Sequence, residues 1–306
     1  MVYKIRNVSI VLPSLKDPRI FMMGVLTTYT LVGQIVLSFD HQWIQIITSL
    51  IVACTLDTLL SYWKSRQIVL PISGYITGLG LGLLIEAVPI WPYIVAPILA
   101  IGAKGLIRFQ GRNVFNPSNF GLTVLLIITP TTVTTLAAQW SGSMLIVMVV
   151  LVIGGFTAFR VSRWDLVLSW VGGFAAMALV EELIVHNGFV FVYAPMLGVA
   201  FQLFSLSMLT DPKTTPESRS MRIVFGLAIS VVDGVLRMLS IQNSPFIALF
   251  VVSACVPLLR LFAPIVKARL MPAKSEPGGL PHATALPREI PGEQSPAAAK
   301  VERAAG

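Results

Sequence analysis

The stretch RNVFNPSNFG, residues 112–121, places three asparagines between long apolar segments. An asparagine amide has one acceptor oxygen and two donor hydrogens, and leaving them unpaired in an apolar medium is costly. Asn116 followed by Pro117 is typical of a helix start, because Asn caps helices and Pro is tolerated at the first helical position. Capping does not explain Asn113 or Asn119. Two interpretations stay open: capping alone, or capping together with a ligand such as the carbonyl–imide edge of a flavin or the carbonyl of a quinone.

A second polar cluster, MLTDPKTTPESRS, occupies residues 208–220. Its Asp-Pro and Thr-Pro pairs predict turns. Lys213 and Arg219 are either ligands of a phosphate or loop charges in water.

Several carboxylates stand inside apolar segments, among them Asp57, Glu181 and Asp233. Carboxylates within a membrane are candidates for function, so these three are candidates for an ion path. Asp233 and Arg237 are four residues apart and share a helical face, which favours a buried ion pair. Glu181 is expected near the outer end of its helix, where it can reach water. The cysteines and histidines show no ligand-like spacing, so we expect no metal site.

The composition predicts how these residues are positioned. Only 12% of the residues are charged, about half of the roughly 25% usual in soluble domains. Apolar stretches recur along the chain, and a spanning helix needs about 20 apolar residues. We therefore predict an all-α polytopic membrane protein with ten transmembrane helices. The predicted spans are 19–39, 43–63, 67–86, 89–109, 119–140, 143–161, 166–186, 192–210, 221–240 and 245–264.

Basic residues predict the orientation. With the N-terminus in the cytoplasm, 21 of the 22 Lys and Arg residues fall on the cytoplasmic side, and only Arg237 falls outside. Residues 1–18 then form a cytoplasmic segment, 19–264 the membrane domain, and 265–306 a cytoplasmic tail that we expect to be disordered. Membrane insertion alone explains the net charge of +8, so no nucleic acid partner is expected.

The membrane domain contains a candidate inverted repeat, with halves at about 19–140 and 143–264. The segment YIVAPILAIGAKGLIR, 93–108, aligns without gaps to RIVFGLAISVVDGVLR, 222–237. The alignment matches Gly105 with Gly234 and Arg108 with Arg237. Because the offset is five helices, the second copy must be upside down. Repeats of this kind place binding sites at the interface between the halves.

The third predicted span carries Gly74, Gly78, Gly80 and Gly82. Small residues allow close packing of helices in lipid. They equally allow a flat ring to approach the backbone, so both interpretations stay open.

Ten spans, FNPSNFG at the start of the fifth and LTDPKTTP after the eighth together resemble the ten-helix, flavin-carrying membrane subunit of the sodium-translocating NADH:quinone reductase. They equally resemble its counterpart in the Rnf electron-transport complex. The resemblance covers about residues 19–264 and implies a redox subunit of the inner membrane that works with partner subunits. It implies a flavin held near the cytoplasmic face by Asn116 and Asn119, with Thr210 and Asp211 in the second motif.

One motif departs from that family. Its members carry FMN as a phosphoester on a threonine in the outer loop after span five. Here that loop reads QWSGSM, 139–144, and Met144 stands at the threonine position. A thioether has no oxygen for the ester, so we expect no covalent FMN at this position.

The sequence thus predicts an electron-transfer subunit that binds a non-covalent flavin, FMN or riboflavin, or a quinone. The expected ligands are Asn113, Asn116, Asn119, Thr210, Asp211 and Lys213. It is expected in the cytoplasmic (inner) membrane, with both termini inside, and is more typical of an electron-transport subunit than of a complete enzyme. Two alternatives are an ion or small-solute transporter that has lost the cofactor, and an accessory membrane protein of a biosynthetic or redox gene cluster.

Overall fold

Helices make up most of the chain that the structure describes. The computed structural model describes residues 2–5, 8–11, 17–36, 43–135 and 144–270. Within those ranges it contains eleven α-helices and two π-helical segments, Val32–Val36 after α1 and Phe204–Met208 after α9. The α-helices are α1 Pro18–Leu31, α2 Trp43–Ser65, α3 Ile72–Leu84, α4 Pro92–Leu106, α5 Pro117–Ile128, α6 Met144–Arg160, α7 Trp164–Val185, α8 Phe189–Leu197, α9 Val199–Leu203, α10 Arg219–Met238 and α11 Ser244–Leu270.

Short strands join several helix ends, and the sequence predicted none of them. Within the described ranges they are β1 Val2–Ile5, β2 Val8–Val11, β3 Gln67–Val69, β4 Ile85–Glu86, β5 Arg108–Phe109, β6 Arg112–Asn113 and β7 Thr134–Thr135. β1 pairs antiparallel with β2, which pairs parallel with β3. β4 pairs with β7, and β5 with β6, both antiparallel. The chain is therefore mainly helical, as predicted. The prediction did not include the short strands that connect the helices.

Two helices, α2 and α7, are long and apolar enough to cross a membrane. A third candidate is the bent pair of α8 and the segment Ala200–Met208, which meet at 55°. α3, α4, α5 and the apolar parts of α6 and α11 are shorter. Large apolar side chains nevertheless face outwards on several helices, including Val152 (71% exposed) and Leu183 (64% exposed). A surface this apolar indicates contact with lipid.

Several predicted spans are longer than the helices found there. The spans 67–86, 89–109 and 119–140 contain α3, α4 and α5, with 13, 15 and 12 residues. α5 ends at Ile128, just before Pro130, and a turn and β7 follow. Residues 136–143 lie outside the described residues. These three helices were therefore predicted too long, because the residues at the ends of the predicted spans form strands and turns instead.

The predicted span 192–210 is not one continuous helix. Gly198 has an extended backbone (φ −77°, ψ 141°) and separates α8 from α9. The π-helical segment Phe204–Met208 then continues the chain and is largely buried. Such π-helical turns often occur at functional sites, and this one borders the cavity described below.

α3 packs closely on α2 through Gly74, Gly78 and Gly82. A Cβ atom on Gly78 would lie 2.7 Å from the Cα atom of Leu50, which is closer than real side chains approach. Gly80 points away from α2, and a Cβ atom there would make only ordinary contacts. Helix packing is therefore confirmed for three of the four glycines.

The loops gather at the two ends of α4 and α5. At one end, Ile85 pairs with Thr135, and the Thr135 hydroxyl donates to Asn243 Oδ1. Asn243 belongs to a loop predicted to lie outside, and Ile85 and Thr135 lie towards the predicted outer ends of the spans 67–86 and 119–140. At the other end, an Arg112 Nη atom donates to the Pro212 carbonyl oxygen at 2.7 Å, and both residues belong to loops predicted to be cytoplasmic. This grouping is the one expected when the chain crosses back and forth.

The chain divides into two compact units, Met1–Phe262 and Ala263–Gly306. All the residues discussed below lie in the first unit. α11 continues to Leu270, so the helix extends six residues into the segment predicted as the tail. The rest of that tail, 271–306, lies outside the described residues.

Candidate functional site: a cleft at the start of α5

Asn116 caps α5, as the sequence predicted. Its backbone is extended (φ −63°, ψ 124°), and its Oδ1 accepts a hydrogen bond from the backbone N–H of Asn119 at 3.2 Å. Capping uses only the oxygen of the amide. The Asn116 Nδ2 atom lies 3.4 Å from the Met208 carbonyl oxygen and 3.4 Å from Asp211 Oδ2. The cap of α5 therefore also contacts the second polar cluster.

Asn119 lies in a different environment from Asn116. It is buried, and its Nδ2 donates to the carbonyl oxygen of Phe246 at 3.1 Å. The Thr123 hydroxyl donates to the same oxygen at 3.2 Å. Asn119 Oδ1 has no hydrogen-bond partner among the residues that the structure describes. The position of Asn119 supports a role in joining α5 to α11.

The loop after the second π-helical segment is folded by its own side chains. Asp211 Oδ1 accepts from the backbone N–H of Lys213 at 3.0 Å, and the Asp211 carbonyl accepts from the Thr215 hydroxyl at 2.9 Å. Thr210 is buried, and its hydroxyl donates to the Leu206 carbonyl at 2.8 Å. These bonds form the turn that the Asp-Pro pair predicted.

Two arginines from other loops hold this loop by its carbonyl oxygens. Arg112, in β6, donates to Pro212 at 2.7 Å and to Thr215 at 3.1 Å. Arg163, just before α7, donates to Pro216 at 3.0 Å. The sequence did not predict these contacts. Arg112 and Pro212 are 100 positions apart in the sequence, and Arg163 and Pro216 are 53 positions apart.

Five of the six residues predicted to bind a cofactor line one cavity, which we name the cleft. It has a volume of about 210 Å³. It lies between α1, α3, the start of α5, the end of α6 and the loop after the second π-helical segment. The five residues are Asn113, Asn116, Thr210, Asp211 and Lys213. Asn119 is not part of its lining.

The lining of the cleft is both polar and apolar. Arg19, Arg160 and Lys213 are its basic residues, and Met22, Ile76 and Val161 are among its apolar ones. A smaller apolar cavity of about 80 Å³ adjoins it and shares Asn116 and Ser207 with its lining. The apolar walls of that cavity include Leu26, Leu83, Leu84, Leu203 and Phe204. An apolar pocket with a few placed polar groups is the usual form of a cofactor site.

Sequence reasoning missed Arg19 and Arg160. Both lie at the cytoplasmic ends of predicted spans, where the positive-inside rule already accounts for a basic residue. That rule left no reason to assign them a further role. Only the folded chain shows that α1 and α6 bring them to the same cavity.

Burial shifts the pKa values of two side chains that line the cleft, Asp211 and Lys213. It raises the pKa of Asp211. It lowers the pKa of Lys213, and the positive charge of Arg19 lowers that pKa further. The hydrogen bond from the Arg19 side chain holds the pKa of Asp17 at about 2. The Asp17–Arg19 ion pair (2.6 Å) therefore stays formed at neutral pH and balances the charge of Arg19.

A larger cavity of about 580 Å³ shares Asn113, Pro212 and Lys213 with the cleft. We name it the cationic cavity, because six basic and two acidic side chains line it. They are Lys64, Lys104, Arg108, Arg112, Arg163 and Lys213, with Asp57 and Glu217.

Asp57, an ion-path candidate, is paired. Its Oδ1 accepts from Lys104 Nζ at 2.5 Å, and its Oδ2 accepts from the backbone N–H of Gly74 at 2.9 Å. The pair joins α2 to α4 and also fixes the start of α3. These contacts favour a structural role for Asp57 over a role in an ion path.

Glu181 and Asp233, the other two candidates, share one arginine. Arg237 Nε donates to Asp233 Oδ2 at 3.0 Å, and another guanidinium nitrogen pairs with Glu181. Ser244 donates to Asp233 Oδ1 at 2.6 Å, and the guanidinium lies 4.1 Å from the centre of the Phe174 ring. The Asp233–Arg237 pair is therefore confirmed. Glu181 is only 6% exposed, so the expectation that it reaches water is wrong.

Most of the loop aligned with the covalent-flavin sequence lies outside the described residues. Residues 139–143 belong to that part, and Met144 is the first residue of α6. The absence of a covalent flavin there stays a prediction.

Among the described residues, no group of three or more His, Cys, Asp and Glu side chains is placed to hold a metal ion. No family model matches the sequence, and no curated protein matches it.

Proposed function

We propose that this chain is a membrane-embedded electron-transfer subunit that holds a non-covalent flavin, FMN or riboflavin, or a quinone in the cleft. Its motifs resemble those of the ten-helix membrane subunits of the sodium-translocating NADH:quinone reductase and of the Rnf complex. It works with partner redox subunits in the cytoplasmic membrane.

One observation carries the proposal: the two polar motifs, far apart in the sequence, meet around a single cavity. Asn116 Nδ2 and Asp211 Oδ2 lie 3.4 Å apart although 95 positions separate the two residues. The approach is not explained by helix capping, which uses only the Asn116 oxygen. Five residues chosen for their resemblance and chemistry therefore share one site.

The groups in the cleft suit the chemistry of a flavin or quinone. Reduction places negative charge on the carbonyl–imide edge of a flavin or on a quinone oxygen, and donors near these atoms tune the potential. The Asn116 amide, Arg160 and Lys213 supply such donors in the lining of the cleft. The apolar extension fits the rest of a ring system or an isoprenoid tail.

Two features support the ten-span topology with both termini in the cytoplasm. The loops predicted to be cytoplasmic meet around the cationic cavity. The outer ends of the predicted spans 67–86 and 119–140 meet the predicted outer loop at the Ile85–Thr135–Asn243 contacts.

Two matched contacts support the inverted repeat. Gly105 of α4 faces Leu60 of α2, and Gly234 of α10 faces Met177 of α7. Ion pairs join the same two helix pairs, Lys104–Asp57 between α4 and α2, and Arg237–Glu181 between α10 and α7. Corresponding helices thus use corresponding glycines, and an ion pair joins each helix pair, although Lys104 aligns with Asp233 and Arg237 aligns with Arg108.

The absorption spectrum of detergent-purified protein, with quinone analysis of a solvent extract, tests the proposal. We expect flavin bands that bleach with dithionite, or a bound quinone. Because Met144 cannot carry the ester, acid precipitation should release the flavin into the supernatant. Flavin that stays in the pellet would contradict the non-covalent assignment.

A colourless protein without quinone would contradict the proposal as a whole. If that protein moved a solute in liposomes, the transporter alternative would take its place. An inactive, colourless protein would favour the accessory alternative.

A further inference from the structure

The cationic cavity has more positive charge than its own carboxylates balance. Lys104 pairs with Asp57, and Arg112 pairs with Glu217. The other four basic residues of the lining have no carboxylate partner among the described residues. They are Lys64, Arg108, Arg163 and Lys213.

The contacts of these four residues leave donors unused. Lys64 Nζ donates to the Gly105 carbonyl at 3.1 Å, and an Arg108 Nη atom donates to the Gly111 carbonyl at 2.5 Å. Arg163 Nε is buried without a hydrogen-bond partner among the described residues. A buried donor on a cation without a partner is costly, and an anion in the cavity would remove that cost.

Membrane orientation explains why these loops contain basic residues, but it does not explain their convergence. The positive-inside rule counts charges on a side of the membrane and places no demand on their contacts. Here four separate segments predicted to be cytoplasmic, at the end of α2, after α4, after α6 and after the second π-helical segment, bring cations to one cavity. Like charges brought together repel, so the arrangement favours a bound counterion.

Charge and position together indicate the ligand chemistry. Arginine and lysine clusters bind phosphate oxygens through charge-assisted hydrogen bonds. Asn113, Pro212 and Lys213 line both the cationic cavity and the cleft, so the two cavities adjoin there, and a ligand with its ring in the cleft would have its phosphate in the cationic cavity. The volume of about 580 Å³ is within the roughly 300–1,000 Å³ usual for ligand sites.

We propose that the cationic cavity is a phosphate-binding site, and that it makes the protein select FMN over riboflavin. The inference rests on the proposed flavin function for its second part only. The phosphate site itself is independent of what the cleft holds.

Flavin binding to the detergent-purified protein, freed of bound flavin, tests the inference by fluorescence quenching. FMN should bind at least about tenfold more tightly than riboflavin, because only FMN makes charged hydrogen bonds in the cavity. The double variant Lys64→Gln, Arg108→Gln should bind FMN as weakly as riboflavin. Neither residue lines the cleft, so its riboflavin affinity should equal that of the wild type. Arg66→Gln removes an exposed charge outside the cavity and should change neither affinity.

Several results would overturn the inference. Equal affinities for FMN and riboflavin would do so and leave the flavin function intact. An FMN preference that persists in the double variant would place the phosphate elsewhere. Should the double variant fail to fold, pyrophosphate added to the wild type decides: it must compete with FMN and not with riboflavin.

If neither flavin binds, the flavin form of the proposed function fails and the phosphate site is judged alone. Pyrophosphate should then raise the melting temperature of the wild type and of Arg66→Gln, but not of the double variant. No shift in the wild type overturns the site. A shift with phosphatidylglycerol but none with pyrophosphate assigns the cavity to a lipid headgroup and overturns FMN selection.

Discussion

Asn116 has two roles, and its two amide atoms separate them. The oxygen caps α5 through the backbone N–H of Asn119, while the nitrogen faces Asp211 in the lining of the cleft. A substitution that keeps an oxygen acceptor but removes the NH₂ group therefore tests the second role alone.

Asn116→Ser should leave the free energy of unfolding within about 0.5 kcal/mol of the wild type, since Ser caps helices as well as Asn does. It should weaken flavin binding by up to about tenfold, because one hydrogen-bond donor is lost. Asn116→Ala should show the same loss of binding and also a loss of about 1 kcal/mol in stability. Denaturant titration and flavin titration measure the two effects. Wild-type flavin affinity in Asn116→Ser would contradict a ligand role for the amide.

Arg237 is the only cation that pairs with Glu181 and Asp233 among the described residues. Arg237→Met should lower the free energy of unfolding by about 3–5 kcal/mol, because it leaves two buried carboxylates without a cationic partner. The triple variant Arg237→Met, Glu181→Gln, Asp233→Asn should regain part of that loss, since no charge is then left unpaired. Unfolding in detergent, followed by tryptophan fluorescence, measures both. Equal stability of the single variant and the wild type would show that the pair is not structural.

Most individual contacts of the site were beyond prediction from the sequence, although its residue types were not. The cap at Asn116 and the turn at Asp211 are local, so their sequences determine them. The clamp of Arg112 on Pro212 joins distant loops, and nothing in either loop's sequence indicates the other. Asn119 and Glu181 were assigned from type and position. In the fold Asn119 donates to Phe246 and lies outside the lining of the cleft, and Glu181 is buried instead of reaching water.

At the scale of elements, the apolar pattern located the helices better than it located their ends. α5 stops at Ile128 because Pro130 disfavours helix before it and the threonines that follow favour extended structure. The strands β4 and β7 are two residues each, too short to show a period. Extended residues rise about 3.3 Å each against 1.5 Å in a helix, so such ends allow a span with fewer helical residues.

The contact between α2 and α3 depends on glycines on one face of α3. Gly78→Ala should lower the free energy of unfolding by about 1–3 kcal/mol, because its Cβ would lie 2.7 Å from the Leu50 Cα atom and overpacking forces helices apart. Gly80→Ala is the matched control, since its Cβ would lie 3.6 Å from Ser118. The control should not be destabilised, because Ala favours helix over Gly. Equal effects of the two substitutions in denaturant titrations would contradict the packing.

At the scale of the whole molecule, the grouping of the loops predicts which of them face the cytoplasm and which face the outside of the membrane. In a background without Cys54 and Cys255, Lys64→Cys and Lys213→Cys should react with a membrane-impermeant thiol reagent only from the cytoplasmic side. Val88→Cys, at a position 95% exposed in the loop between α3 and α4, should react only from the outside. Labelling of intact cells and of inverted vesicles measures both. Reaction of Val88→Cys and Lys64→Cys from the same side would contradict the alternating topology.

The sequence predicted a mainly helical chain with helices apolar enough to cross a membrane, because composition acts over the whole chain. The sides on which the loops lie stay a prediction. The sequence did not predict that four basic segments form a cavity next to the cleft, since convergence depends on how the helices pack. The tail was placed at 265 from composition, and α11 continues to Leu270.

Flavin content per chain, measured in wild type and in a variant with a blocked cleft, tests the central proposal most directly. Ser207 lines both the cleft and its apolar extension, so Ser207→Phe should fill the space that a ring needs. Ser220→Phe, at an exposed position of α10 outside the cleft, is the control. We expect bound flavin in the wild type and in Ser220→Phe, and loss of flavin in folded Ser207→Phe. Flavin retained at the wild-type level in Ser207→Phe would show that the cleft is not the binding site.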